Sequence, residues 1–184
     1  PASAGWTSYP PLSLMVNKFG EAIWIAGVIL LGTSSIMTGL NFLVTILRMR
    51  IPSMPLIKMP LFCWAMIATS ALQLVATPVL TGAMVLLGFD LLLGTAFFNP
   101  TGGGDPVVYQ HMFWFYSHPA VYIMILPAFG MISEILPTHA RKPIFGYQAI
   151  AYSSIAISFL GLIVWAHHMF TSGTPDWLRM FFMI

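Results

Sequence analysis

Apolar residues run along this chain in four long blocks, separated by short stretches rich in proline, glycine or charge. A bilayer crossing needs about 20 predominantly apolar residues, and more if the helix tilts. By that measure the pattern predicts four membrane spans, at about residues 21–47, 61–87, 111–136 and 147–171. The expected fold class is therefore all-α, a polytopic transmembrane helical bundle. The separators support the division. "RMRIPSMPLIKMP" (48–60) holds three positive charges and three prolines and reads as a linker. "FDLLLGTAFFNPTGGGDP" (89–106) carries glycines, prolines and only acidic charges, and "PTHARKP" (137–143) is a short basic turn.

Composition agrees with the pattern. Of 184 residues, 58% are hydrophobic and 7% charged, and mean hydropathy is +0.86. Soluble domains carry about a quarter charged residues. Thirteen methionines and fourteen phenylalanines suit lipid-facing or densely packed helices. A net charge of +2 without a basic run excludes nucleic acid as a partner. The single cysteine, Cys63, excludes a disulfide framework and a CxxC metal site. The chain opens at Pro1 and stops at "RMFFMI", where a further apolar run begins, so it is expected to be an interior piece of a longer protein.

Charge also orients the spans. Five of the seven Lys and Arg residues lie in the first and third connections. The positive-inside rule then places loops 48–60 and 137–146 on the cytoplasmic side. The glycine-rich loop and the segment "GWTSYPPLS" face outward, where Trp6 and Tyr9 suit an interfacial belt.

Polar groups inside such spans are costly, so they face a bundle interior or a water path. His118 lies about seven residues in from the outward end of the third span, and His167 and His168 lie near the outward end of the fourth. At about 1.5 Å per residue, all three sit within a turn or two of one depth. Three neutral imidazoles with an open position suit copper or zinc, and the affinity order of divalent metals favours copper. Adjacent helical residues diverge by about 100°, so His167 and His168 must approach a metal from different angles. For one histidine alone, a hydrogen-bonded structural role is the plainer reading; three at one depth favour a metal.

Tyr122 follows His118 by four residues and shares its face, where a phenol could donate a proton or an electron, or simply hydrogen-bond. Ser133 returns to nearly that face eleven residues on, about 16 Å further inward, as a proton-carrying hydroxyl or a helix-packing serine. In the first span Ser34, Thr38, Asn41 and Thr45 form one stripe, with Ser35 beside it. That stripe reads either as close packing by small residues or as a water-filled proton path.

Together, "YQHMFWFYSHPAVYIMILPAFGMISEI", "FGY" and "GLIVWAHHMFTSG" closely resemble subunit I of the haem–copper terminal oxidases. "GWTSYPPLS", "MPLFCWAM" and "NPTGGGDPVVYQH" extend the resemblance over essentially the whole chain. It covers about four of the family's twelve helices, the fourth to the seventh. The resemblance implies that His118, His167 and His168 bind the copper paired with a high-spin haem. Tyr122 is then similar to the tyrosine covalently linked to the first of those histidines. Ser133 resembles the serine at the inner mouth of one proton channel, and Ser34, Ser35 and Asn41 resemble residues lining the other. No haem-iron ligand falls in this piece. Many members read GHPEVY with a proton-donating glutamate; here that position is Ala120. A YSHPxVY subfamily uses its tyrosine and serine instead, which implies proton relay by Tyr116 and Ser117.

The resulting expectation is the catalytic subunit of a proton-pumping oxidase that reduces O2 with electrons from cytochrome c. Its cofactors would be copper and haem. Its partners would be other oxidase subunits, among them the dinuclear-copper subunit II, within a bacterial plasma membrane or another respiratory membrane. The alternatives are a quinol oxidase of the same superfamily and, from another class, a metal-free bundle that relays protons through its histidines. A nitric-oxide reductase fits less well, since Tyr122 and the proton-path residues would have little purpose.

Overall fold

The computed structural model describes residues 1–183. Among them the regular structure is helical throughout: α1 (Leu12–Met15), α2 (Lys18–Arg48), α3 (Leu61–Leu93), α4 (Pro106–Ala140), α5 (Tyr147–Gly161) and α6 (Asp176–Phe181), with short 3-10 turns between some of them. Four helical stretches are long and apolar enough to cross a membrane: Lys18–Arg48, Leu61–Leu93, Pro106–Ala140 and Tyr147–Met169. The chain is thus an all-α bundle of membrane-length helices. Its two ends differ: one carries the basic loops, the other the glycine-rich loop and the N-terminal segment.

α3 is the centre of the bundle and packs against α2, α4 and α5. Small residues let it do so. Ala65, Ala68, Ala76 and Ala83 are at most 1% exposed, and Leu72, Met84 and Leu87 fill the space between them. On α2 the approach is made by Gly32 and Gly39, seven residues apart on one face. A methyl on Gly39 would stand 3.1 Å from the Gln73 side chain and 3.2 Å from the Ser70 carbonyl, so the helices meet backbone to backbone there. The outer faces carry large apolar side chains such as Leu30, Leu31 and Met124, each 70–71% exposed. Such surfaces are covered by lipid or by further helices.

Helix limits follow local chemistry. α3 continues six residues past the expected Leu87 because Asp90 is satisfied there. Its carboxylate accepts the Thr95 hydroxyl at 2.6 Å and the amides of Phe97 and Phe98 at 2.8 and 2.7 Å. A buried carboxylate with three donors is tolerated, and the loop folds around it. α4 begins at Pro106 rather than near His111, because Asp105 caps the Val107 amide at 2.8 Å and proline suits the first turn. It then runs unbroken through Pro119, Pro127 and Pro137. At the basic end, Glu134 of α4 accepts the Leu61 amide at 2.5 Å and so caps α3 from a neighbouring helix.

The fourth span is not one continuous α-helix. α5 stops at Gly161, the next two amides bond back only three residues, and a 3-10 turn covers Trp165–Met169. The interruption falls at a point of close helix contact. A methyl at Gly161 would stand 2.8 Å from Cδ2 of Tyr122, so glycine is what lets α5 touch α4 where the helix ends. This interruption sets the geometry of the histidine pair.

Candidate metal centre

His118 sits on α4, seven-per-cent exposed, and is followed by the buried Pro119. His167 and His168 come from the 3-10 turn, where successive residues are about 120° apart rather than about 100°. Neighbours in sequence diverge more there than in an α-helix, and the two rings nonetheless turn toward each other, centroids 4.2 Å apart and planes at 37°. One nitrogen from each of the three imidazoles can be chosen so that all lie within 4.8 Å of one another. His118 Nδ1 and His168 Nε2 are 3.2 Å apart, and the His118 and His167 rings meet edge to face with centroids at 4.5 Å.

The donor set fits a metal. A bound copper or zinc takes imidazole nitrogens at about 2.0–2.1 Å, so ligand nitrogens within a few ångströms of each other need only small ring rotations. Nε2 of His118 is buried and has no hydrogen-bond partner among the described residues. The nitrogen of His118 that faces the pair is Nδ1, 3.2 Å from His168 Nε2, and a cation held between imidazole nitrogens this close would relieve their crowding. The same donors suit copper and zinc alike.

Tyr122 lies one turn along α4, its ring centroid 4.9 Å from that of His118. The two rings are tilted by 58° rather than stacked. A cleft of about 390 Å³ opens beside them, lined by His118, Tyr122, Val164, His167 and Phe170. On the other side Trp114 lies flat on His168, 3.9 Å between centroids and 7° between planes. Trp114 is itself held by the N-terminal segment: its indole N–H donates to the Tyr9 hydroxyl, and Trp6 packs edge-on against it. Burial raises the Tyr9 phenol pKa, and the Trp114 hydrogen bond partly offsets this. Trp6 is exposed, but Tyr9 is packed against Tyr109 and Phe113 as part of the wall behind the centre.

The other sequence-predicted residues do not gather here. Tyr116 packs against the core shared by α2, α3 and α4, while Ser117 and Ala120 are half-buried on α4. Ser133 lines a cavity of about 290 Å³ toward the basic end, between α4 and α5, with Ser153 and Ser154. The α2 stripe is exposed at Ser34, Thr38, Asn41 and Thr45, with Ser35 half-buried. Its hydroxyls bond within the helix, Thr38 to the Ser34 carbonyl at 2.9 Å and Thr45 to the Asn41 side chain at 3.4 Å. Close packing by small residues is done by Gly32 and Gly39 instead.

Three polar residues escaped the sequence reading. Glu21, 1% exposed, accepts the Ser8 hydroxyl and ties the N-terminal segment to α2. Glu134 caps α3, as described, and His111 accepts the Trp165 indole hydrogen at 3.2 Å. Of these only His111 left a trace in the sequence, its spacing of seven from His118 placing both on one helical face.

The family described as Cytochrome C and Quinol oxidase polypeptide I matches residues 1–184. Curated relatives include cytochrome c oxidase subunit 1 of Synechocystis sp., 74% identical over 98% of this chain and 33% of the relative. The protein of the same name from Thermostichus vulcanus is 63% identical over 100% of the chain and 33% of the relative. That of Cereibacter sphaeroides is 48% identical over 98% and 32%. The chain spans about a third of the length of these relatives.

Proposed function

The chain belongs to the cytochrome c and quinol oxidase polypeptide I family, and from that premise we propose that it supplies the copper-binding part of an oxygen-reducing, proton-pumping membrane oxidase. The observation that carries the proposal is the convergence of His118, His167 and His168 from two separate elements. The relatives are named for cytochrome c as electron donor, and we assign the same donor here, with electrons arriving through a dinuclear-copper partner subunit. The protein is an integral membrane one, and its basic loops, 48–60 and 137–146, are assigned to the cytoplasmic side.

In this reading the three histidines hold copper, which supplies one-electron redox chemistry beside a haem. The chain's other histidines do not suit a haem iron at this centre: His111 is engaged by Trp165 and His139 is exposed at the basic end of α4. The haem ligands are therefore assigned to parts of the protein outside this chain.

Tyr122 is placed to give a proton and an electron from its phenol, being held one turn from His118 and fixed by contact with Gly161. Trp114 stacks on His168 and keeps water from that face of the ring. Ser133 hands protons toward Tyr122 from the basic end, through the hydroxyl-lined cavity it shares with Ser153 and Ser154. Tyr116 and Ser117 relay protons in place of the carboxylate missing at Ala120. A phenol with a reference pKa near 10 does this by passing hydrogen bonds rather than by stable ionisation. Ser34, Ser35 and Asn41 line a second path on the outer face of α2.

Metal analysis of the full-length protein, purified with its partner subunits, tests the proposal. Copper and haem are both expected, with copper lost when His167 is replaced by Asn. A complex holding neither metal group would sink the oxidase reading and leave the metal-free proton-relaying bundle. Oxidation of reduced cytochrome c against oxidation of a quinol separates the two oxidase types.

A further inference from the structure

One face of α4 carries His111, Phe115, His118 and Tyr122, at i, i+4, i+7 and i+11. The segment after α5 follows this face. Gly161 touches Tyr122, Trp165 reaches up to Phe115 and His111, and the chain turns back so that His167 and His168 meet His118. The element that does this is a single short 3-10 turn, Trp165–Met169. At its start the His167 amide reaches the carbonyl of Val164, just before the turn, at 3.3 Å, a long three-residue bond. Burial of Ala166 and Met169 fixes which side faces the bundle, but apolar packing tolerates sliding along a helix.

The directional contact is the indole of Trp165. Its N–H donates to Nδ1 of His111 at 3.2 Å, and the two rings stand at 76°. An acceptor at Nδ1 places the imidazole's own hydrogen on Nε2. Trp165 is two residues before His167, so a shift of the indole is passed to both metal-facing rings. Phe115 supports the far side of the indole, ring centroids 5.3 Å apart.

We propose that His111 is a positioning residue for the metal centre, accepting the Trp165 indole hydrogen bond and thereby fixing the 3-10 turn that presents His167 and His168. This rests on the metal reading above. Groups that orient ligands without touching the metal typically change its affinity by about 10–100-fold. One covalent stretch separates this latch from the ligands, so the low end of that range applies.

The test uses the full-length complex with its subunits, comparing His111→Leu, Trp165→Phe and His111→Gln. Haem content serves as the measure of assembly, and the readout is the rate at which an added chelator removes copper. His111→Leu and Trp165→Phe are each expected to lose copper about tenfold faster than wild type. The double variant should be no faster than either single one, because both remove the same bond. His111→Gln keeps a side-chain acceptor and should restore slow loss. Wild-type copper retention in His111→Leu with haem intact would overturn the role. So would a His111→Gln protein as leaky as His111→Leu. A wild-type complex with haem but no copper would remove the metal reading itself and this role with it.

Discussion

α4 and α2 both carry polar side chains along apolar, membrane-length helices, and the bundle uses them in opposite ways. On α4 the face bearing His111, His118 and Tyr122 is met by the segment that follows α5, so each of these rings packs against another ring or a close glycine. On α2 the face bearing Ser34, Thr38, Asn41 and Thr45 is exposed, and its hydroxyls turn back onto their own helix. The same helix α2 packs on α3, but through Gly32 and Gly39 on its other side. A polar stripe thus has two uses in a membrane-length helix. It can build a site by convergence, or stay available to water and to helices beyond the described chain. Which one applies depends on what the neighbouring element brings, not on the stripe.

Several substitutions would break or sharpen that contrast. The largest effect is expected from Tyr122→Phe in the full-length complex. It removes one hydroxyl and keeps the ring packed on Gly161, so turnover should fall by more than about 100-fold with copper and haem content unchanged. Normal oxygen consumption would take Tyr122 out of the chemistry.

Gly161→Ala comes next, because the added methyl has only the Tyr122 ring to move into. Overpacking of this kind costs about 1–3 kcal/mol. Both thermal stability and turnover should drop, and unchanged turnover would mean that the placement of the Tyr122 ring is uncritical. Gly39→Ala, at the α2–α3 contact, should lower stability by a similar amount while leaving copper retention alone. Loss of copper there would show that the two regions are coupled.

A smaller effect is expected at Tyr116. Tyr116→Phe should slow turnover several-fold, on the order of a lost hydrogen bond of about 1 kcal/mol. Adding Ala120→Glu should restore proton delivery if the two positions serve one path. The smallest effect on the metal is expected from Asn41→Leu, whose side chain lies on the exposed face of α2. Copper content should match wild type, and only proton movement should change. A copper-depleted Asn41→Leu protein would erase the distinction between the two stripes.

The four membrane-length stretches and the matching level of the histidines were legible in the sequence because both depend on one-dimensional quantities, apolar run length and rise per residue. Asp90 was not legible as part of a helix, since an acidic residue at the end of an apolar run signals a loop unless its donors are known. Those donors come from residues folded back upon it. The stripe on α2 was legible as a stripe, but not as an exposed one. The glycines that decide which face packs are ordinary in a membrane helix until a partner is in place. Glu21 and Glu134 gave no local signal at all: each bonds a residue brought close only by the fold, Ser8 in one case and the Leu61 amide in the other.

The candidate metal centre divides along the same line. Residue identity and spacing alone determine that His118 and Tyr122 share a helical face, that an adjacent histidine pair lies at matching depth, and that Ala120 carries no carboxylate. These follow from helix geometry and side-chain chemistry, which every sequence carries with it. Only the tertiary structure decides that α5 stops at Gly161, that the chain tightens into a 3-10 turn, and that Trp165 hangs that turn on His111. Each of these is a contact between elements far apart in sequence. The convergence of three imidazoles is fixed by where two backbones touch, and no periodicity along either one records it.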